Sequence, residues 1–244
     1  MDSLFLLPFF AGLAVAATLP LVGGLLRLRD EWLATLGLAH LAAATGLAGL
    51  VVSLPLIWGA PLGALAAAVA KHLSGGRSNS VYGLMILAGW SLGLLVAANT
   101  PLGEALAHGL VDGQLYFAGG RELVATGLLA LATPPALAWL TPRLIRARLF
   151  PDHERANRLP AWRWHLGFDL LTALAIAAAT ASVGLMAAFA LVFVPPWLAF
   201  RHASGWRACQ LLSLAIGLGA YLAAFFLALA LDQPFGPVLA ALLV

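Results

Sequence analysis

The chain has 244 residues and a formal net charge of +3, with 62% hydrophobic and only 9% charged residues. Soluble globular domains carry about 25% charged residues, so this composition excludes one. The small basic excess is spread over loops, which argues against a nucleic-acid partner, and the single Cys209 excludes an internal disulfide.

Several uncharged runs approach the length of about 20 residues that crosses a bilayer core as helix. Residues 4–26 form the first, which Pro8 and Pro20 should bend, and it ends at Arg27 and Arg29. Met1-Asp2-Ser3 lacks the basic start of a cleaved leader, so this run is expected to stay as a span. Residues 32–54 form the second run, with His40 in its first half. Residues 55–70 are short and alanine-rich and close at Lys71, His72 and Arg77. A Gly/Ser loop over 74–80 leads to the fourth run, 81–99. In 100–122, Glu104, His108, Asp112 and several glycines interrupt the apolar pattern, so a non-spanning or re-entrant segment is expected.

Residues 123–140 make the fifth run, with Pro134 and Pro135 inside it. The longest polar stretch follows, 143–165. The next apolar stretch, 166–200, is too long for one helix and reads as two spans meeting at Ser182-Val183-Gly184. Residues 211–231 form another span, and 235–244 are too short to cross unless their helix begins earlier. The expectation is a single all-α domain, residues 1–244, built as a polytopic membrane bundle of about eight to nine transmembrane helices. Basic loops mark the cytoplasmic side. Placing Arg27/Arg29, Lys71/Arg77, residues 143–163 and Arg201/Arg207 inside puts the N-terminus outside and alternates through all eight crossings.

Two stretches stand out. In the long basic loop, Asp152 could cap a short helix with Glu154 in its first turn, running through Ala156 to about Leu159 and stopping before Pro160. Such a charged, exposed helix suits docking of a partner subunit; the alternative is a loop that only fixes topology. Farther on, Pro195 and Pro196 interrupt an uncharged span. Proline frees carbonyls, and is tolerated where the helix is buried in protein or lines a cavity. Asp169 sits near the start of a span, placed to reach headgroup water or to pair with Arg163. His153, His165 and His202 fall in loops and read as solvated. Trp162, Trp164, Trp197 and Trp206 read as interfacial anchors. His108 and Asp112 are four apart and would share a helix face at the outer mouth, or else form a polar cap. No P-loop, H-E-x-x-H, G-x-S-x-G or C-x-x-C is present, so a pump built on this chain needs a separate ATPase.

The motif V-G-x-x-x-x-x-A-L-x-x-x-P-x-x-x-A (Val183, Gly184, Ala190, Leu191, Pro195, Ala199), followed by D-x-P-x-G-P (Asp232, Pro234, Gly236, Pro237), resembles the membrane permease of zinc/manganese/iron-type ABC importers. The resemblance implies a metal-importer (type II-like) ABC permease fold in a bacterial inner membrane. It implies a homodimer with the path between two copies, a cytoplasmic ATP-binding subunit that hydrolyses ATP with Mg, and a periplasmic metal-binding protein. The cargo would be a divalent metal, zinc first, with no cofactor resident on this chain. It assigns Asp152, His153, Glu154, Arg155 and Ala156 to ATPase coupling, with Asn157 or Arg158 where a glycine is usual. Gly184, Pro195, Pro196 and Asp232 fall to the pathway and its gating, and His40, His108 and Asp112 to the metal. The family's G-D-x-x-x-H places Leu36 where an aspartate belongs. In the fourth run, aligned on Ser91 and Gly93, Leu87 stands where some members have a histidine. The two losses permit a metal chelate or another small cargo as the alternative; a secondary transporter, which would need no docking loop, is the other.

Overall fold

The computed structural model describes residues 5–73, 78–100, 113 and 115–244, and the described residues form helices, turns and short loops without a strand. Among the described residues eight helices are long and apolar enough to cross a membrane. They are α1 (Leu6–Arg29), α2 (Leu33–Val51), α3 (Leu56–Leu73), α4 (Asn79–Ala98), α5 (Gly120–Leu149), α7 (Trp162–Val183), α8 (Leu185–His202) and α9 (Trp206–Leu231). Between α5 and α7 lies the short α6 (His153–Ala156), and the chain closes with α10 (Phe235–Leu243). At 9 residues α10 does not cross, as its length predicted.

The bundle is organised around α1 and α7. α1 packs against α5, α7, α8 and α9, while α7 packs against α2, α3, α5 and α8 as well. α4 lies at the edge against α2. In lipid there is little hydrophobic drive between helices, so close packing of small residues holds them. α1 and α7 obey that rule: Ala11, Ala16, Ala173, Ala177 and Ala179 are all fully buried.

Helix ends differ from expectation at α5 and α7. The polar stretch was expected to begin at Arg143, yet α5 continues through Leu149. The cause is a stripe of buried leucines, Leu137, Leu140 and Leu144, whose helical spacing runs past Arg143. Arg143 turns away over the Trp139 ring. α5 is 30 residues, roughly 45 Å, so its last turns extend beyond a bilayer core of roughly 30 Å. Likewise α7 begins at Trp162, because Trp164, Phe168 and Thr172, one turn apart, are buried along one face.

The division of 166–200 falls where the sequence placed it. Gly184 has φ +90 and ψ 163, and it separates α7 from α8. Only glycine adopts that backbone readily. Gly113, at φ +92, packs against the same corner, and a side chain there would strike the Val183 carbonyl. Gly113, within the expected re-entrant segment, therefore reaches the α7–α8 turn, while 101–112, with His108 and Asp112, lie outside the described residues.

Candidate functional site

The segment between α5 and α7 departs from expectation in three ways. Asp152 occupies the N-cap position, but its side chain makes no capping hydrogen bond. The helix stops at Ala156 rather than near Leu159. Arg158 is the reason. It adopts φ 50, its N–H donates to the Arg155 carbonyl, and the Leu159 N–H donates to the Glu154 carbonyl at 3.0 Å. This is a Schellman turn, whose left-handed position is usually glycine. Between Asn157 and Arg158, it is Arg158 that stands where glycine is usual.

Asp152, Arg155 and Ala156 are exposed, and His153 is half-buried. Glu154 behaves differently. Its carboxylate accepts from Trp164 Nε1 at 2.7 Å and meets His165 Nε2 at 3.2 Å. Both partners belong to the first turn of α7, so Glu154 straps α6 to a long helix. His165, expected as a solvated loop histidine, is 6% exposed.

One turn beyond His165 on α7 lies Asp169. It was expected at interface depth with Arg163 as partner. It is instead 5% exposed, and its Oδ1 lies 2.9 Å from Lys71 Nζ and 3.2 Å from Arg29 Nη2. Glu31 completes the cluster, with Oε2 2.8 Å from Lys71 Nζ and 2.9 Å from Arg29 Nη2. Two cations and two anions thus join the end of α1, the α1–α2 turn, the end of α3 and the start of α7. Arg29 also covers the Phe168 ring at 5.0 Å. Burial pushes the Glu31 carboxyl up, but Arg29 and Lys71 outweigh it and hold it below its ordinary value of 4.5. Sequence reading missed this cluster. The one available signal was Glu31, an acid lodged among basic span ends.

Within the bundle, α8 carries the proline pair. Pro195 and Pro196 are buried within the helix. Pro196 cannot donate to the Val192 carbonyl. That oxygen is met instead by α1 at Gly23, where an added Cβ would fall onto it. The freed carbonyl is thereby covered by backbone, a contact only glycine allows. Asp232 is exposed at the end of α9 in a left-handed cap, φ 51.

His40 is 8% exposed. Its Nδ1 lies 2.8 Å from the carbonyl of Leu36 on its own helix, and its ring packs 5.3 Å from Trp90 of α4. Gly89 permits the approach, since a Cβ there would come within 2.6 Å of the His40 backbone. With Nδ1 so occupied, Nε2 is the nitrogen left for a ligand. Among the described residues no group of three or more His, Cys, Asp or Glu is arranged to hold a metal ion.

Comparison with known proteins agrees with this architecture. The ABC 3 transport family matches over residues 1–244. Among solved structures, PsaBC from Streptococcus pneumoniae in complex with Fab superimposes with a TM-score of 0.85 at 17% identity, covering 99% of this chain and 88% of that one. A structure described as an inward-facing conformation of a metal-chelate type ABC transporter gives 0.77 at 16% identity, covering 97% and 82%. At these identities the likeness is one of fold. No curated protein matches the chain.

Proposed function

We propose, on the premise that this chain belongs to the ABC 3 transport family, that it is the membrane subunit of an importer for a divalent metal ion. Zinc is the first candidate cargo, then manganese or iron. In this reading two copies form a homodimer in a bacterial inner membrane, with the path between them. A periplasmic binding protein delivers the metal to the outer mouth at the Asp232 end of α9, the sequence motifs assign His108 and Asp112 to its capture, and His40 meets it within the span. The basic end faces the cytoplasm. There an ATP-binding subunit, hydrolysing ATP with Mg, docks on Asp152, His153, Arg155 and Ala156.

The observation that carries the reading is the strap at α6. A four-residue helix is too short to be stable alone. Here it is closed by a Schellman turn, and Glu154 ties it to Trp164 and His165 at the head of α7. Motion imposed on α6 therefore passes to α7. From there it reaches α1 and α3 through Asp169, and α8 across the Gly184 corner. The α1–α8 crossing at Gly23 then re-packs to open or close the path.

A metal chelate is the second reading. Leu36 and Leu87 occupy the two positions where the resembling importers place ligands, which favours a cargo that brings its own ligands.

Asp152→Lys combined with Arg155→Glu tests the docking assignment, since both side chains are exposed and neither supports the fold. The expected result is normal insertion with loss of ATPase co-purification and of ATP-driven metal uptake. Uptake at the unmodified rate would remove the docking site from α6.

A further inference from the structure

A cavity of about 230 Å³ opens at the basic end of the bundle, lined by Arg29, Glu31, Leu144, Ala147, Arg148, Pro151 and His165. It lies where α1 ends, α5 runs out of the membrane and α7 begins. A single water needs roughly 10–15 Å³ of such space, so the cavity has room for a larger group.

Its base is unusual. The Arg29 side chain is 6% exposed, yet only Nη2 is engaged, with Glu31 and Asp169. Nε and Nη1 have no hydrogen-bond partner among the described residues. A buried guanidinium with unused N–H groups is costly to leave so. Each is a donor that an oxyanion in the cavity would satisfy. At the mouth, Arg148 is exposed and free to close over a ligand. His165 forms part of the wall, its Nε2 turned to Glu154.

Charge decides what kind of ligand fits. Glu31 lines the cavity and would repel an anion, but Arg29 and Lys71 already hold it. Behind the wall Lys71 and Asp169 offset each other. Within the wall Arg29 and Arg148 oppose one carboxylate, which leaves one positive charge over. A singly charged oxyanion matches this better than a dianion.

We propose that this cavity binds a phosphate group, either the phosphodiester of an anionic lipid headgroup or free phosphate. The site is separate from the cargo path and does not depend on the transport reading. Lipid is a natural source, because basic segments at a membrane surface gather anionic lipids.

The test uses the full-length chain, purified and delipidated. Inorganic phosphate is titrated against thermal stability at constant ionic strength, with chloride as the balancing salt. In parallel, native mass spectrometry compares retention of phosphatidylglycerol with zwitterionic phosphatidylethanolamine. Saturable binding is expected, weakened about tenfold by Arg148→Gln and by Arg29→Lys, the loss of one charge-assisted contact in each case. Arg29→Lys keeps the charge that faces Glu31 and Asp169 while removing the two unused guanidinium nitrogens. Should it fail to fold, Arg148→Gln, at an exposed position, decides alone. Saturation by phosphate identifies a free anion, and saturation by phosphatidylglycerol alone identifies a headgroup. The proposal is overturned if neither probe saturates, if chloride does as well, or if Arg148→Gln binds like the unmodified chain. It is equally overturned if the cavity fills only when an ATP-binding subunit is added, since a protein carboxylate would then be the occupant.

Discussion

The basic end of the bundle and the α1–α8 crossing hold their helices together by opposite means. At the basic end, four buried charges and the Glu154 strap fix α1, α3, α6 and α7 in one relative position. At the crossing, Gly23 lies directly on the Val192 carbonyl that Pro196 frees, and among the described residues no ion pair joins the two helices there. Ion pairs at low dielectric lose much when the partners separate. A glycine contact loses little when helices slide, since it is built of dispersion and weak C–H···O contacts. The charged end therefore suits a part that moves as a unit, and the crossing suits the joint at which it moves.

The largest expected effect on transport comes from filling the joint. Gly23→Ala places a methyl on a backbone oxygen that cannot turn away, and overpacking of this kind costs about 1–3 kcal/mol. ATP-driven uptake should fall at least ~tenfold in reconstituted vesicles. Gly24→Ala sharpens the comparison, because its Cβ would meet only the flexible end of Gln210. That variant should transport near the unmodified rate. Equal effects at both positions would show that the crossing has no special role.

Next comes the charged end. Lys71→Met removes one of the two described cations that hold buried Asp169 and Glu31, and breaking such a pair costs about 3–5 kcal/mol. Thermal unfolding in detergent should show it, and Lys71→Met with Asp169→Asn should be milder than Lys71→Met alone. The same cluster has a pH signature. The Glu31 carboxyl is depressed below 4.5 in the folded chain. Its contribution is complete above that unfolded value and is lost as pH falls through the lower folded one. Glu31→Gln should be less stable than the unmodified chain near neutrality and match it in strong acid. A constant gap at every pH would contradict the pairing.

How much of this was legible beforehand follows from separation along the chain. The corner at Gly184 was readable because the apolar stretch over 166–200 exceeds one crossing and carries the small, turn-prone run Ser182-Val183-Gly184 at its middle. The short helix between α5 and α7 was readable from its local charges. Asp169 was misplaced because its partner Lys71 lies 98 residues away, and nothing in the neighbouring sequence points there. Arg163 was the nearby cation, so local reading chose it. Gly23 is one of a Gly-Gly pair, and only the crossing shows that Gly23 meets backbone while Gly24 meets a side chain. The terminator of α6 was narrowed to Asn157 or Arg158, and backbone φ decided it.

The smallest effect belongs to that terminator. A non-glycine residue in the left-handed region costs about 1–2 kcal/mol. Arg158→Gly should therefore stabilise α6 slightly, raising the melting temperature by a few degrees with transport unchanged. A lower melting temperature would mean that the Arg158 side chain supports the turn.

The most direct measurement is radiolabelled zinc uptake into vesicles containing this chain, with and without its ATP-binding subunit. Uptake that requires the subunit and ATP, and that stops when Asp152 and Arg155 are reversed, is the predicted result. Zinc uptake by the chain alone, driven by a proton or sodium gradient, would contradict the account and make the protein a secondary transporter.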